Sequence, residues 1–111
     1  SGNDGIDFME SNAQLNQVNI LYSGDKAVSV GENSLLNIDK LNINYANFGV
    51  ASKDSSVTNI LESTIDNTNN CLAAYKKKQE FNGGYIKINN NNCINYNNYK
   101  MVDRFSKIII N

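Results

Sequence analysis

Glu10, Glu32 and Asp54 stand 22 residues apart in succession, and Lys76 takes the next place in the same series. Side chains that recur at one fixed interval stack when a chain winds into a solenoid, so these four should share one charged corner. Two like charges about 5 Å apart at an effective dielectric near 20 repel by roughly 3 kcal/mol, so three stacked carboxylates need something to cancel them. Three chemistries would do so. In a compensated ladder, Lys53 and Lys76 neutralise the acids while Ser34 and Ser56 cap them. In a metal site, Glu10, Glu32 and Asp54 supply hard oxygen ligands to a cation, Ca²⁺ being the best match. In a catalytic groove, Glu32 and Asp54 act as acid and base, with Lys53 as base or anion clamp. Lys26, Lys76, Lys77, Lys78 and Tyr75 are then candidates for holding a substrate.

Composition removes other chemistries. The chain has no His, which excludes Ser-His triads, Cys-His pairs and His-ligated metals. Ser29 and Ser34 therefore have no imidazole to activate them. "FNGG" (Phe81 to Gly84) lacks the strand-to-helix context of a phosphate loop and reads as a turn. A net charge of −1 gives no basic surface for nucleic acid. No apolar run approaches the roughly 18 residues of a membrane span.

The elements that must position the acids follow from the same interval. Ile6, Val28, Val50 and Leu72 form one column at 22-residue spacing, and Phe8, Val30, Ser52 and Ala74 form another two residues on. Asp7, Ser29, Ala51 and Ala73 lie between them and point the other way, which is the period of a strand. "LLNI" (Leu35 to Ile38) matches "VTNI" (Val57 to Ile60), and "VNI" (Val18 to Ile20) matches 23 residues downstream. Each repeat thus holds about three short strands separated by Asn-, Ser- and Gly-rich corners, with no amphipathic helix. That arrangement is an all-β parallel β-helix of about four to five coils, forming a single domain over 1–111.

The 22 Asn residues fit this architecture, because Asn tolerates the left-handed backbone of corners and stacks its amides along the axis. Beyond Tyr75 the offset grows from 22 to 28, so an insertion at 76–84 bulges from one corner, on the face where solenoids commonly bind. After Asn98 the pattern weakens, and "SKIIIN" reads as a further strand. Neither end looks capped, so the chain is expected to be a segment of a longer β-helix or to have its ends covered by neighbouring coils or another chain. Cys71 and Cys93 are too few for a disulfide framework. Because the insertion puts them in different columns, they are expected to be free, buried thiols.

"NDGIDFMES", "GDKAVSVGENS", "GVASKDSS" and "CLAAYKKKQEF" resemble successive coils of right-handed parallel β-helices of the pectin-lyase-like superfamily. More narrowly, they are similar to β-helix regions of large bacterial surface or secreted proteins, some with CotH kinase-like domains. The resemblance spans Asn3 to about Asn95. It implies a right-handed coil, an extracellular or cell-surface location, and carbohydrate as the first partner class. The residues it would make functional are Asp4, Asp7, Asp25, Lys26, Glu32, Lys53, Asp54, Lys77 and Lys78. Lyases of this kind use an Arg or Lys base beside acidic calcium ligands. The only Arg here, Arg104, lies in the least regular part, so a Lys would have to serve.

Two functions follow as expectations. The first is a non-catalytic β-helix module of an exported protein, used for carbohydrate binding, adhesion or spacing. The second is a polysaccharide-active enzyme fragment, a lyase or glycoside hydrolase. The acid column preserves the repeat and the insertion breaks it, which favours the module and directs attention to 76–84.

Overall fold

A computed structural model describes residues 5–111, and Asp4 lies outside the described residues. Eight strands follow in order: β1 (Ile6–Met9), β2 (Asn12–Ile20), β3 (Lys26–Gly31), β4 (Leu35–Lys53), β5 (Val57–Tyr75), β6 (Tyr85–Ile88), β7 (Asn91–Val102) and β8 (Lys107–Ile110). All pairings are parallel, each strand lying on the equivalent strand one coil away. The result is a β-solenoid of about five turns, with no helix among the described residues. It therefore contains no helix long and apolar enough to cross a membrane.

The register follows the sequence columns. Ile6 pairs with Val28, Val28 with Val50, and Val50 with Leu72. The 23-residue step from Val18 to Leu41 arises at one corner and is cancelled at the next, where the step returns to 22. Asn33 and Ser34 stand where the first coil has Ser11 alone, and Leu21 and Tyr22 stand where the second has only Asn44. The second difference pushes Leu21 and Tyr22 into solvent, 79% and 74% exposed. The step of 28 from Val57 to Tyr85 marks the insertion, and β8 returns to a step of 22.

Two features differ from expectation. The strands are not short pieces: β4 and β5 each run 19 residues, because backbone pairing between coils continues around two of the corners. Nor does the pattern fade at Asn98, since β7 keeps register through Lys100 on Leu72 and Val102 on Ala74. What changes there is composition, since Lys100 falls in a column that is apolar in the four coils before it.

Inward columns build the core. Leu36, Ile38, Leu41, Ile43, Val50, Ile60, Ile65, Leu72, Ile86 and Ile88 are all buried. Burying one such side chain fully contributes about 1.5–3 kcal/mol, which stacking achieves for each coil through its neighbours. A polar knot interrupts the core where Ser52 follows Val30. Thr58 donates to Ser52 Oγ at 3.1 Å, Ser52 and Ser56 hydroxyls lie 2.6 Å apart, and Ser56 donates to the Val30 carbonyl at 3.0 Å.

The cysteines overturn the expectation of free thiols: Cys71 and Cys93 form a disulfide with a Cα separation of 6.2 Å. They do belong to different columns, but those columns face each other across the narrow interior. Cys93 continues Ile20, Ile43 and Ile65, while Cys71 continues Gly5, Ala27 and Gly49. A Cβ on Gly49 would collide with the Cys71 carbonyl and lie 2.7 Å from Ile65 Cγ2, which shows how closely the two walls approach. Where Cys replaces Ile on one wall and Gly on the other, the gap suits a disulfide.

At the ends, β1 and β2 are paired on one side only, as are β7 and β8. Ile6, Phe8, Leu15, Val18 and Ile20 are half-buried at the first edge.

Candidate functional site

The acid corner exists, and its backbone explains its residues. Glu10, Glu32 and Asp54 all adopt positive φ (51°, 32° and 53°), which turns the chain sharply at the same place in each coil. The coils are tied there by main-chain bonds, Glu10 N to Glu32 O at 2.9 Å and Asn33 N to Asp54 O at 3.0 Å. The side chains, however, have different partners. Asp54 is only 1% exposed, and its Oδ1 accepts the amides of Lys77 and Lys78 at 2.7 and 2.9 Å. Glu32 is ion-paired to the Lys78 ammonium. Glu10 is exposed in the first coil.

The insertion therefore folds back over the corner. The Ser55 amide donates to the Asn82 carbonyl at 2.9 Å, and the Asn82 amide donates to Ser55 Oγ at 2.7 Å. Gly84 closes the excursion against β4, where a Cβ would collide with the Ser52 carbonyl. This Gly is the only residue type that lets the chain re-enter the coil so tightly.

Glu32, Asp54, Lys77 and Lys78 are thus brought together, and the remaining candidates are not. Lys53 lies across Gly31 and donates to Ser29 Oγ at 2.9 Å. Tyr75 stacks on Lys53 at the end of β5, half-buried. Lys26 pairs with Asp25 at 2.7 Å and faces the Phe48 ring at 5.7 Å. Lys76 does not top the acid column: its amide donates to Asp103 at 2.8 Å and its ammonium sits 4.0 Å from the Phe105 ring centre. Ser34 and Ser56 do not cap the acids either. Ser34 Oγ accepts the Ser11 amide at 3.2 Å, and Ser56 points into the polar knot.

Electrostatics agree with these contacts. Hydrogen bonding to Glu32 raises the Lys78 ammonium above its usual value. The Lys26 hydrogen bond, assisted by Asn47, outweighs burial and lowers Asp25. At Asp103 burial pushes upward, but bonds from Ser106 and from the Lys76 and Phe105 amides together prevail and lower it. Among the described residues, no three carboxylate or thiol groups converge as a metal site would require.

A second place departs from the regular coil: of the six tyrosines, any of which the sequence offers either as a platform for a sugar ring or as ordinary rung packing, Tyr22 and Tyr45 meet at one corner. At the third corner, Tyr45, Asn67 and Asn95 all take positive φ (69°, 58° and 55°). Asn suits that conformation, whereas a bulky side chain costs about 1–2 kcal/mol there. Tyr45 nevertheless occupies it, 54% exposed, beside the displaced Tyr22. The two rings border a groove of about 550 Å³ that also exposes Asn47, Asn69 and Asn97. These three form a ladder: Asn97 donates to Asn69 at 2.7 Å, Asn69 to Asn47 at 2.8 Å, and Asn47 to Asp25 at 3.3 Å. The signal was present in the offsets, which align a Tyr with two Asn at a corner.

Compared with known protein families, curated proteins and solved structures, the chain finds no match.

Proposed function

We propose that the chain is a non-catalytic β-helix module of an exported protein that binds carbohydrate. The observation that carries this reading is the fate of the charged corner. Asp54 is buried on two amides, Glu32 is engaged by Lys78 and Lys53 by Ser29, so the polar groups there support the fold. General acid–base chemistry needs a carboxyl group free to exchange a proton with a bound substrate, and this corner offers no pair of that kind. Export is supported by the Cys71–Cys93 disulfide, since such bonds persist mainly in oxidising compartments. A right-handed coil of the pectin-lyase-like type agrees with the strong preference for right-handed parallel crossovers.

The test pairs binding with turnover. The protein is titrated calorimetrically with neutral and acidic oligosaccharides, and the same mixtures are assayed for new reducing ends and unsaturated uronides. Binding without product supports the module. Product formation abolished by Glu32→Gln would instead make the chain a polysaccharide-active enzyme.

A further inference from the structure

Within that carbohydrate-binding reading, on which this inference rests, we infer that the ligand is a neutral saccharide chain bound in the groove between Tyr22 and Tyr45, along the Asn47–Asn69–Asn97 ladder. Three observations converge on this groove. Both rings are there because the regular coil is broken: Tyr22 by an extra residue at the corner, Tyr45 by accepting a backbone that Asn fills in the next two coils. Strain of this kind at an exposed residue concentrates where a side chain is needed for something other than folding.

The ladder supplies matching polar chemistry. Each Asn amide has two N–H donors and an oxygen with two acceptor sites, and stacking uses one of each. A row of spare donors and acceptors is left, repeating about every 4.8 Å along the axis. Sugar hydroxyls both donate and accept, and the C–H faces of a pyranose ring lie well on an aromatic face.

The groove also has no charge. No Asp, Glu, Lys or Arg lines it, and the neighbouring carboxylates are engaged, Asp25 by Lys26 and Asp66 by Asn95. A uronic acid chain would find no cation to meet it.

The test titrates cellohexaose, xylohexaose, chitohexaose and hexagalacturonate into the wild-type protein, Tyr22→Ala, Tyr45→Asn, and Lys77→Ala/Lys78→Ala. The expected result is binding of at least one neutral chain, weakened tenfold or more by Tyr22→Ala and by Tyr45→Asn and unchanged by the double Lys variant. Tyr45→Asn is also expected to keep or raise the melting temperature, because Asn suits that φ, so lost binding cannot be put down to unfolding. If wild-type binding survives in both Tyr variants, the groove assignment falls while the carbohydrate-binding reading stands. Tighter binding of hexagalacturonate, or loss of binding in the Lys variant alone, overturns the neutral-ligand groove in favour of the insertion. Failure to bind any of the four overturns the carbohydrate reading together with this inference.

Discussion

Lys78 pairs with Glu32, 46 residues earlier in the chain, by reaching across the coil that carries Asp54. One loop thus closes over the charges of two coils. The Lys78 ammonium is well exposed, so the pair should be sensitive to screening. Lys78→Ala is expected to lower the melting temperature slightly at low ionic strength. In 1 M salt, where the screening length is about 3 Å, the difference from wild type should vanish. Melts at the two salt concentrations check it.

Asp54 should matter more than Glu32, because it is buried and its partners are amides. Asp54→Ala strands the N–H groups of Lys77 and Lys78 and should cost about 2–3 kcal/mol. Asp54→Asn keeps an acceptor oxygen and tolerates the corner's φ, so it should cost clearly less. Denaturant unfolding of both variants gives the comparison, and equal losses would contradict the capping role.

The Cys71–Cys93 bond should contribute about 2–4 kcal/mol, in line with disulfides that close loops of this size. Reduction should therefore lower the melting temperature by several degrees. A Cys71→Ala/Cys93→Ala variant should melt near the reduced protein and no longer respond to reductant.

Calcium should have no effect on the acid corner. Asp54 faces amides, Glu32 faces Lys78, Glu10 is exposed and the three do not converge, so neither EDTA nor Ca²⁺ is expected to move the melt. A ligand at a thousand times its dissociation constant adds about 4 kcal/mol, so a real site would be plain in the same experiment.

Asp103 supplies a pH signature. Its folded value lies below the ordinary 3.8, so its stabilising contribution is present above that value and is lost as pH falls through the folded one. Asp103→Asn imitates the protonated form. Its melting temperature should lie below wild type at neutral pH, and the two curves should converge at strongly acid pH. Asp25, lowered by Lys26, adds a loss of the same sign in both proteins.

What could be seen in the sequence was whatever repeats along the axis. Val28 over Val50, Asn37 over Asn59 and the six-residue insertion all follow from counting, because parallel coils place equal positions in contact. Contacts across the interior follow no such count. Cys71 meets Cys93 because one wall is built of small residues and the other of Ile, and an offset cannot say which walls face each other. The partners of the acids were hidden for a related reason. Lys76 holds the expected position in the series, but the insertion begins there, and the loop's path delivers Lys78 instead. The role of Tyr45 is hidden for another reason: its unusual φ belongs to the backbone and cannot be read from its residue type.

The asparagine ladders give the molecule a direction. Among the described residues, each of the nine inter-coil bonds donated by an Asn side chain runs from a later coil to an earlier one, as from Asn42 to Asn19, Asn59 to Asn37 and Asn111 to Asn89. Their amide dipoles therefore point the same way and polarise one another. The two rims are electrically unequal: Asn19 offers its amino hydrogens at one, while Asn97 and Asn98 offer carbonyl oxygens at the other. Two such solenoids meeting rim to rim would match donors to acceptors in one orientation and oppose like poles in the reverse, so the columns that hold the coils together also tell one end from the other.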